Sequence, residues 1–144
     1  MPKPKIIPVE EDKFVKSPDV VGLVECNFYN YLNDKLAAMV MYYNPECPDS
    51  ERQRAHIIRA AKLNKRANHA YAAVDCTKEK SLCKREGISR LPSFVLYTRG
   101  LTLSDRGFPI DYVRMREAME SIEPPPPLHP AQVRVDPECP KEPK

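Results

Sequence analysis

Met39-Val40-Met41-Tyr42-Tyr43-Asn44-Pro45-Glu46-Cys47-Pro48-Asp49-Ser50 is the stretch on which the reading of this chain turns. The run from Ala37 to Tyr43 is apolar without interruption, the pattern of a strand buried on both faces, and Asn44-Pro45 breaks it. From Ser50 onward Ile57, Ala60 and Ala61 recur at helical spacing, and Pro48 suits a first helical turn because its missing N–H would have no partner there. Cys47 is therefore delivered to a helix start. There the unpaired backbone N–H groups and the positive end of the helix dipole favour thiolate, the reactive form of the side chain. Glu46 and Asp49 work in the opposite direction, since like charge disfavours a forming thiolate.

Outward from this stretch the chain alternates short strands and helices. Asp19–Val24 reads as a first strand and Glu25–Asn33 as a first helix with Phe28, Tyr31 and Leu32 on one face. The second helix runs to about Lys65. His69–Asp75 reads as a strand and Lys78–Glu86 as a helix stopped by Gly87. Ser93–Thr98 and Leu101–Arg106 form a hairpin through Arg99-Gly100. Asp111–Ile122 closes the pattern as a helix, with Val113, Met115, Ala118, Met119 and Ile122 on its apolar face, and Pro124-Pro125-Pro126-Pro127 ends it.

The chain has 144 residues, of which 42% are hydrophobic, enough for one domain with one core. Twelve of its 16 prolines lie before Asp19 or after Glu123, so the expected organisation is a flexible tail over 1–17, a domain over 18–123 and a proline-rich tail or linker over 124–144. The net charge of +3 is small and mixed in sign along the chain, which argues against a nucleic-acid partner. The basic residues of the second helix read as a solvated face. No apolar run is long enough to span a membrane.

Strand, turn and cysteine-led helix in this order resemble the thioredoxin fold, and the wording resembles the protein disulfide-isomerase family. Members of that family carry an aromatic pair followed by Ala-Pro-Trp-Cys-x-x-Cys-Lys. This chain has Tyr42-Tyr43-Asn44-Pro45-Glu46-Cys47-Pro48-Asp49-Ser50-Glu51 there, keeping the first cysteine and replacing the second by Ser50. Tyr71-Ala72-Ala73-Val74-Asp75-Cys76-Thr77, Leu82-Cys83-Lys84-Arg85-Glu86-Gly87-Ile88 and Arg90-Leu91-Pro92-Ser93-Phe94 also match. The resemblance covers about Pro18 to Glu123. It implies an α/β fold, a mixed central sheet flanked by about four helices. It also implies a cis Leu91-Pro92 bond facing Cys47, with Leu91, Pro92, Glu46 and Pro48 contacting substrate.

Five cysteines are present. In relatives with this Asp-Cys-Thr…Cys pattern, Cys76 and Cys83 resemble a structural disulfide. Two free thiols or a metal pair are the alternatives, but zinc would need two further ligands, and His56, His69 and His129 show no ligand-like spacing. A disulfide would fit an oxidising compartment. Cys26 reads as a passive small residue; neither it nor Cys139 is excluded as a distant partner for Cys47. Many relatives place an acid just before the aromatic pair to take up the second cysteine's proton. Met41 stands there, in keeping with a site that has no second thiol.

With Ser50 in place, Cys47 cannot carry an enzyme disulfide, and efficient reduction lacks a resolving thiol. What remains is exchange: attack on a client disulfide, a mixed disulfide, and displacement by a client thiol. The expected partners are cysteine-containing client proteins, with further thioredoxin-like domains in a longer chain. No metal or cofactor is called for. The competing reading is a redox-inactive client-binding or interdomain module; a glutaredoxin-type monothiol enzyme fits less well, for want of a glutathione-binding signature. The resemblance points to the endoplasmic reticulum lumen or secretory pathway. The proline-broken N-terminus is not a secretory signal and the C-terminus is not a retention signal, so a removed signal or a piece of a longer protein is expected.

Overall fold

A computed structural model of the chain describes residues 9–104, 111–124 and 127–137. Strand β3 (Ala37–Tyr43) is buried at every position. Successive side chains of a strand point to opposite faces. Ala37, Met39, Met41 and Tyr43 therefore enter one apolar cluster, and Ala38, Val40 and Tyr42 enter another. Two clusters need two layers of helix to cover them. Helices α2 (Pro48–Lys62) and α4 (Tyr112–Glu120) close the first with Ile57, Ala60, Ala61, Met115 and Met119. Helices α1 (Phe28–Leu32) and α3 (Lys80–Arg85) close the second with Phe28, Tyr29, Leu32, Leu82 and Cys83.

The sheet between these layers has six strands in the order β1-β2-β4-β3-β5-β6. Strand β4 (His69–Asp75) runs parallel to β3, from Ala37↔His69 to Tyr43↔Asp75, a pairing that requires a crossover, here α2. Strand β5 (Ser93–Thr98) lies antiparallel on the other side of β3, with Tyr42 opposite Ser93. Strand β6 (Leu101–Ser104) returns along β5 through Arg99-Gly100, both at positive φ (50° and 85°), the geometry that suits a right-twisted hairpin. A side chain at position 100 would also meet Asn33 Oδ1 at 2.6 Å.

Strands β3, β4 and β5 occupy the residues expected for them, and the first strand and the helices are shorter. The first strand shrinks to Val21–Gly22 (β2), which pairs with β4 on one side and with β1 (Glu10–Glu11) on the other. Helix α1 begins only after Asn27, whose side chain accepts a hydrogen bond from Val24 N–H at 2.8 Å and so holds a turn where helix was expected. Helix α2 stops at Lys62. The expected extension of β6 falls partly on residues outside those described. On α4, Met115 and Met119 are buried in this cluster and Ala118 packs against it, as does Ile122 just past the helix end, but Val113 is 43% exposed, a correction to its place on the apolar face.

The larger correction concerns residues 9–17, which were expected to belong to a flexible tail. They are packed. Val15 is fully buried in the α2/α4 cluster, and Phe14 stacks on Tyr43 with ring centroids 4.5 Å apart. Asp12 accepts hydrogen bonds from the Phe14 and Val15 N–H groups at 3.0 and 2.8 Å. Such a side-chain-capped turn replaces backbone partners that a strand or helix would supply.

Candidate active site

Cys47 is the N-cap residue of α2. Its own backbone is extended (φ −84°, ψ 122°), Pro48 opens the helix, and the Cys47 carbonyl accepts the first helical bond from Glu51 N–H at 3.2 Å. The turn before it is tied twice. Cys47 N–H donates to Asn44 O at 2.9 Å, and Glu46 N–H donates to Asn44 Oδ1 at 2.9 Å. The thiol makes no capping bond and is half-buried, the one free cysteine among the described residues.

Ser50 lies three positions further on, on the same side of the first helical turn, and is completely buried. Its Oγ accepts a hydrogen bond from Asn44 N–H at 3.3 Å. Ser50 thus fastens the turn that carries Cys47. Glu46 and Pro48 are exposed beside the sulfur. Asp49, one of the two carboxylates expected to oppose a thiolate, is ion-paired with Arg52 on the next turn.

The Leu91-Pro92 bond is cis, and both residues are half-buried. The β3/β5 register decides their position. Tyr42 faces Ser93, so the chain leaving β3 toward Cys47 and the chain entering β5 from Pro92 lie at the same end of the sheet. Cys76 and Cys83 are joined by a disulfide with Cα atoms 5.8 Å apart, tying the exit of β4 to α3. Cys76 N–H also donates to Tyr43 O at 2.9 Å, so this staple abuts the end of the strand that leads to Cys47.

Two groups near this frame were not found from the sequence. The Asp12 carboxylate is buried beneath the end of β3 and accepts the Tyr43 hydroxyl at 3.0 and 3.1 Å. Burial pushes its carboxyl above the ordinary range, against the pull of the hydrogen bonds from Val15, Tyr43 and Phe14, with the charge of Asp75 adding to the rise. Position 41, before the aromatic pair, holds Met41, and the buried acid Asp12 comes from the N-terminal segment. Asp12-Lys13-Phe14 is a recognisable side-chain turn, but nothing in it points to Tyr43. An open cleft of about 760 Å³ runs past Asp12, Tyr43, Pro45 and Asp75 without including Cys47.

The second group is Glu86, whose side chain is 1% exposed. It accepts the Tyr97 hydroxyl at 2.7 Å and the Tyr29 hydroxyl, and Tyr97 in turn meets the Tyr42 hydroxyl at 2.6 Å. The Arg134 guanidinium forks onto the same carboxylate at 2.7 and 3.3 Å. Burial, reinforced by the bond to Glu86, pushes the Tyr29 hydroxyl up to about 12.

The family model of thioredoxin matches residues 19–118. The chain belongs to the thioredoxin family. Protein disulfide-isomerase A5 of Mus musculus is 37% identical over 84 residues, which cover 56% of this chain and 16% of that protein. Protein disulfide-isomerase A5 of Bos taurus is 39% identical over 84 residues with the same coverage. The chain therefore spans about a sixth of the length of these relatives. Among solved structures, the first thioredoxin domain of mouse protein disulfide-isomerase A4 superposes with a TM-score of 0.69 at 20% identity, covering 90% of both chains. Form II of human ERp44 does so with a TM-score of 0.67 at 19% identity, covering 80% of this chain and 32% of that one. At such identities the structures show the fold, and it is the thioredoxin fold: a mixed six-stranded sheet with four helices. Asp12 and Arg134 both lie outside the matched residues.

Proposed function

We propose that this domain handles cysteine-containing client proteins by thiol–disulfide exchange through the single thiol of Cys47. Membership of the thioredoxin family and likeness to disulfide isomerases support exchange as the kind of chemistry. The observation that carries the monothiol form of it is the pairing of a half-buried free thiol at the N-cap of α2 with a wholly buried hydroxyl at Ser50.

In the first step the Cys47 thiolate attacks one sulfur of a client disulfide. The client S–S bond breaks, a Cys47–client bond forms, and the displaced client sulfur leaves as thiolate and takes a proton. A different client thiolate then attacks the client sulfur of this mixed disulfide, and Cys47 departs. One S–S bond exists before and after, so no external oxidant or reductant is consumed and the net result is isomerisation. Ser50 cannot resolve the mixed disulfide, because its oxygen forms no comparable bond to sulfur. The captured state therefore persists until a client thiol ends it. Leu91 and the cis-proline Pro92, with Glu46 and Pro48 on the rim, are assigned to hold the client segment around its cysteine. The compartment is an oxidising one, the lumen of the endoplasmic reticulum or secretory pathway, supported by the Cys76–Cys83 disulfide and by the relatives.

The test is incubation with a scrambled disulfide client followed by acid quenching and non-reducing electrophoresis. A mixed disulfide should form with the wild-type chain and vanish with Cys47→Ala. Ser50→Cys should shorten the life of the adduct and create dithiol reductase activity. Client held equally well by Cys47→Ala would replace this reading with that of a redox-inactive binding module.

A further inference from the structure

Beyond α4 the chain returns to the α1/α3 layer and is held there by polar contacts. Arg134 O accepts a hydrogen bond from Asn33 Nδ2 at 3.2 Å, and the Asp136 carboxylate accepts from the Tyr29 and Asn30 N–H groups at 2.7 and 2.8 Å. No residue of 127–137 is buried or belongs to either apolar cluster, and Val133 and Val135, on either side of Arg134, are 41% and 81% exposed. This segment can therefore leave the domain without opening the core.

The group that Arg134 reaches is different in kind. Glu86 follows α3, its side chain is almost wholly excluded from water, and the hydroxyls of Tyr29 on α1 and Tyr97 on β5 donate to it. The pocket around this carboxylate is thus built by the domain and not by the segment. Two neutral hydroxyls leave its charge uncompensated, so the pocket calls for a cation. Arg134 supplies one, forking onto both carboxylate oxygens at 2.7 and 3.3 Å and lying 4.3 Å from the centroid of the Tyr29 ring. Arg85 lies 5.2 Å from the same ring and donates to the Tyr29 hydroxyl at 3.3 Å, but its ion pair is with Glu25. We propose that Glu86 and the Tyr29 ring form an arginine-binding socket, which the chain's own Arg134 fills and which takes the arginine of another extended peptide when residues 127–137 swing away.

Arg134 is tethered to α4 through residues 121–133 and competes as an intramolecular ligand, at an effective concentration of about a millimolar. A peptide in free solution must overcome that competitor, so the socket is guarded in the intact chain and open once Arg134 is removed. The planar two-nitrogen fork selects arginine, since a neutral isostere brings no charge to Glu86 and a lysine no fork.

The test titrates two full-length chains, the wild type and Arg134→Ala combined with Asp136→Ala, with a fluorescein-labelled peptide of residues 129–137, read by anisotropy. The variant should bind the peptide, and the wild type should bind it about ten-fold more weakly or less. The same peptide with citrulline in place of its arginine should bind the variant about ten-fold more weakly or less. Equal affinity of the two chains, equal affinity of the two peptides, or no binding to a variant that melts cooperatively would overturn the proposal. Should the variant not melt cooperatively, native-state cleavage by trypsin after Arg134 decides. It should be slow in the wild type, whose guanidinium is held on Glu86, and about ten-fold faster or more in Glu86→Gln; equal rates would overturn the proposal as well.

Discussion

Strand β3 leads into two surroundings of opposite character. Past its end the chain turns into Cys47, a half-buried free thiol that makes no capping bond. On the α1/α3 side of the same strand, Tyr42 joins Tyr97, Tyr29, Glu86 and Arg134 in a network where every polar group has a partner and the carboxylate is almost wholly excluded from water. A nucleophile must be reachable and must not be tied down. A buried charge must be tied down, because an uncompensated one costs several kcal/mol. One strand thus leads to both a reachable sulfur and a fully paired buried charge, and substitutions should divide accordingly.

The largest effect on stability is expected at Arg134→Met, which leaves Glu86 buried without its cation. Denaturant unfolding should show a loss of about 3 kcal/mol, and Glu86→Gln in the same chain should recover part of it, since a neutral amide needs no counter-charge. A loss below ~0.5 kcal/mol would mean that water reaches Glu86 and would dissolve the contrast. Next comes the disulfide pair: Cys76→Ala with Cys83→Ala removes a short-loop cross-link and should cost about 2 kcal/mol, read by the same unfolding experiment.

A smaller, pH-dependent change is expected for Asp12→Asn. Because burial raises the folded-state carboxyl of Asp12, its protonated form is favoured by folding. That contribution is present in full below the ordinary value of 3.8 and is lost as pH rises through the raised one. Asparagine does not ionise. The variant should therefore gain on the wild type as pH rises from 3.8 toward neutrality, and a difference independent of pH would refute the assignment. The smallest effect on stability, within ~0.5 kcal/mol, is expected for Cys47→Ala, the change with the largest effect on exchange.

These contrasts follow the boundary of what was readable beforehand. The both-faces burial of β3, the limits of β4 and β5 and the helix start at Cys47 were legible, because each is written in neighbouring residues: an unbroken apolar run, a turn dipeptide, a proline at a first helical position. Asp12 and Arg134 were not. Each stands in a segment without apolar periodicity and makes its decisive contact far along the chain, Asp12 with Tyr43 and Arg134 with Glu86, 31 and 48 residues away. Val113 failed for a related reason, since helical spacing marks a face but not how much of it a neighbour covers.

By itself the amino-acid sequence determined the strand-turn-helix that presents Cys47 and the family to which the chain belongs, since local pattern and motif wording need no tertiary context. Only the folded molecule decided which carboxylates are buried, how the segments before and after the matched domain join it, and that Ser50 fastens the turn that carries Cys47. Burial and hydrogen bonding between distant residues depend on how the layers close over the sheet, and that closure is a property of the whole chain.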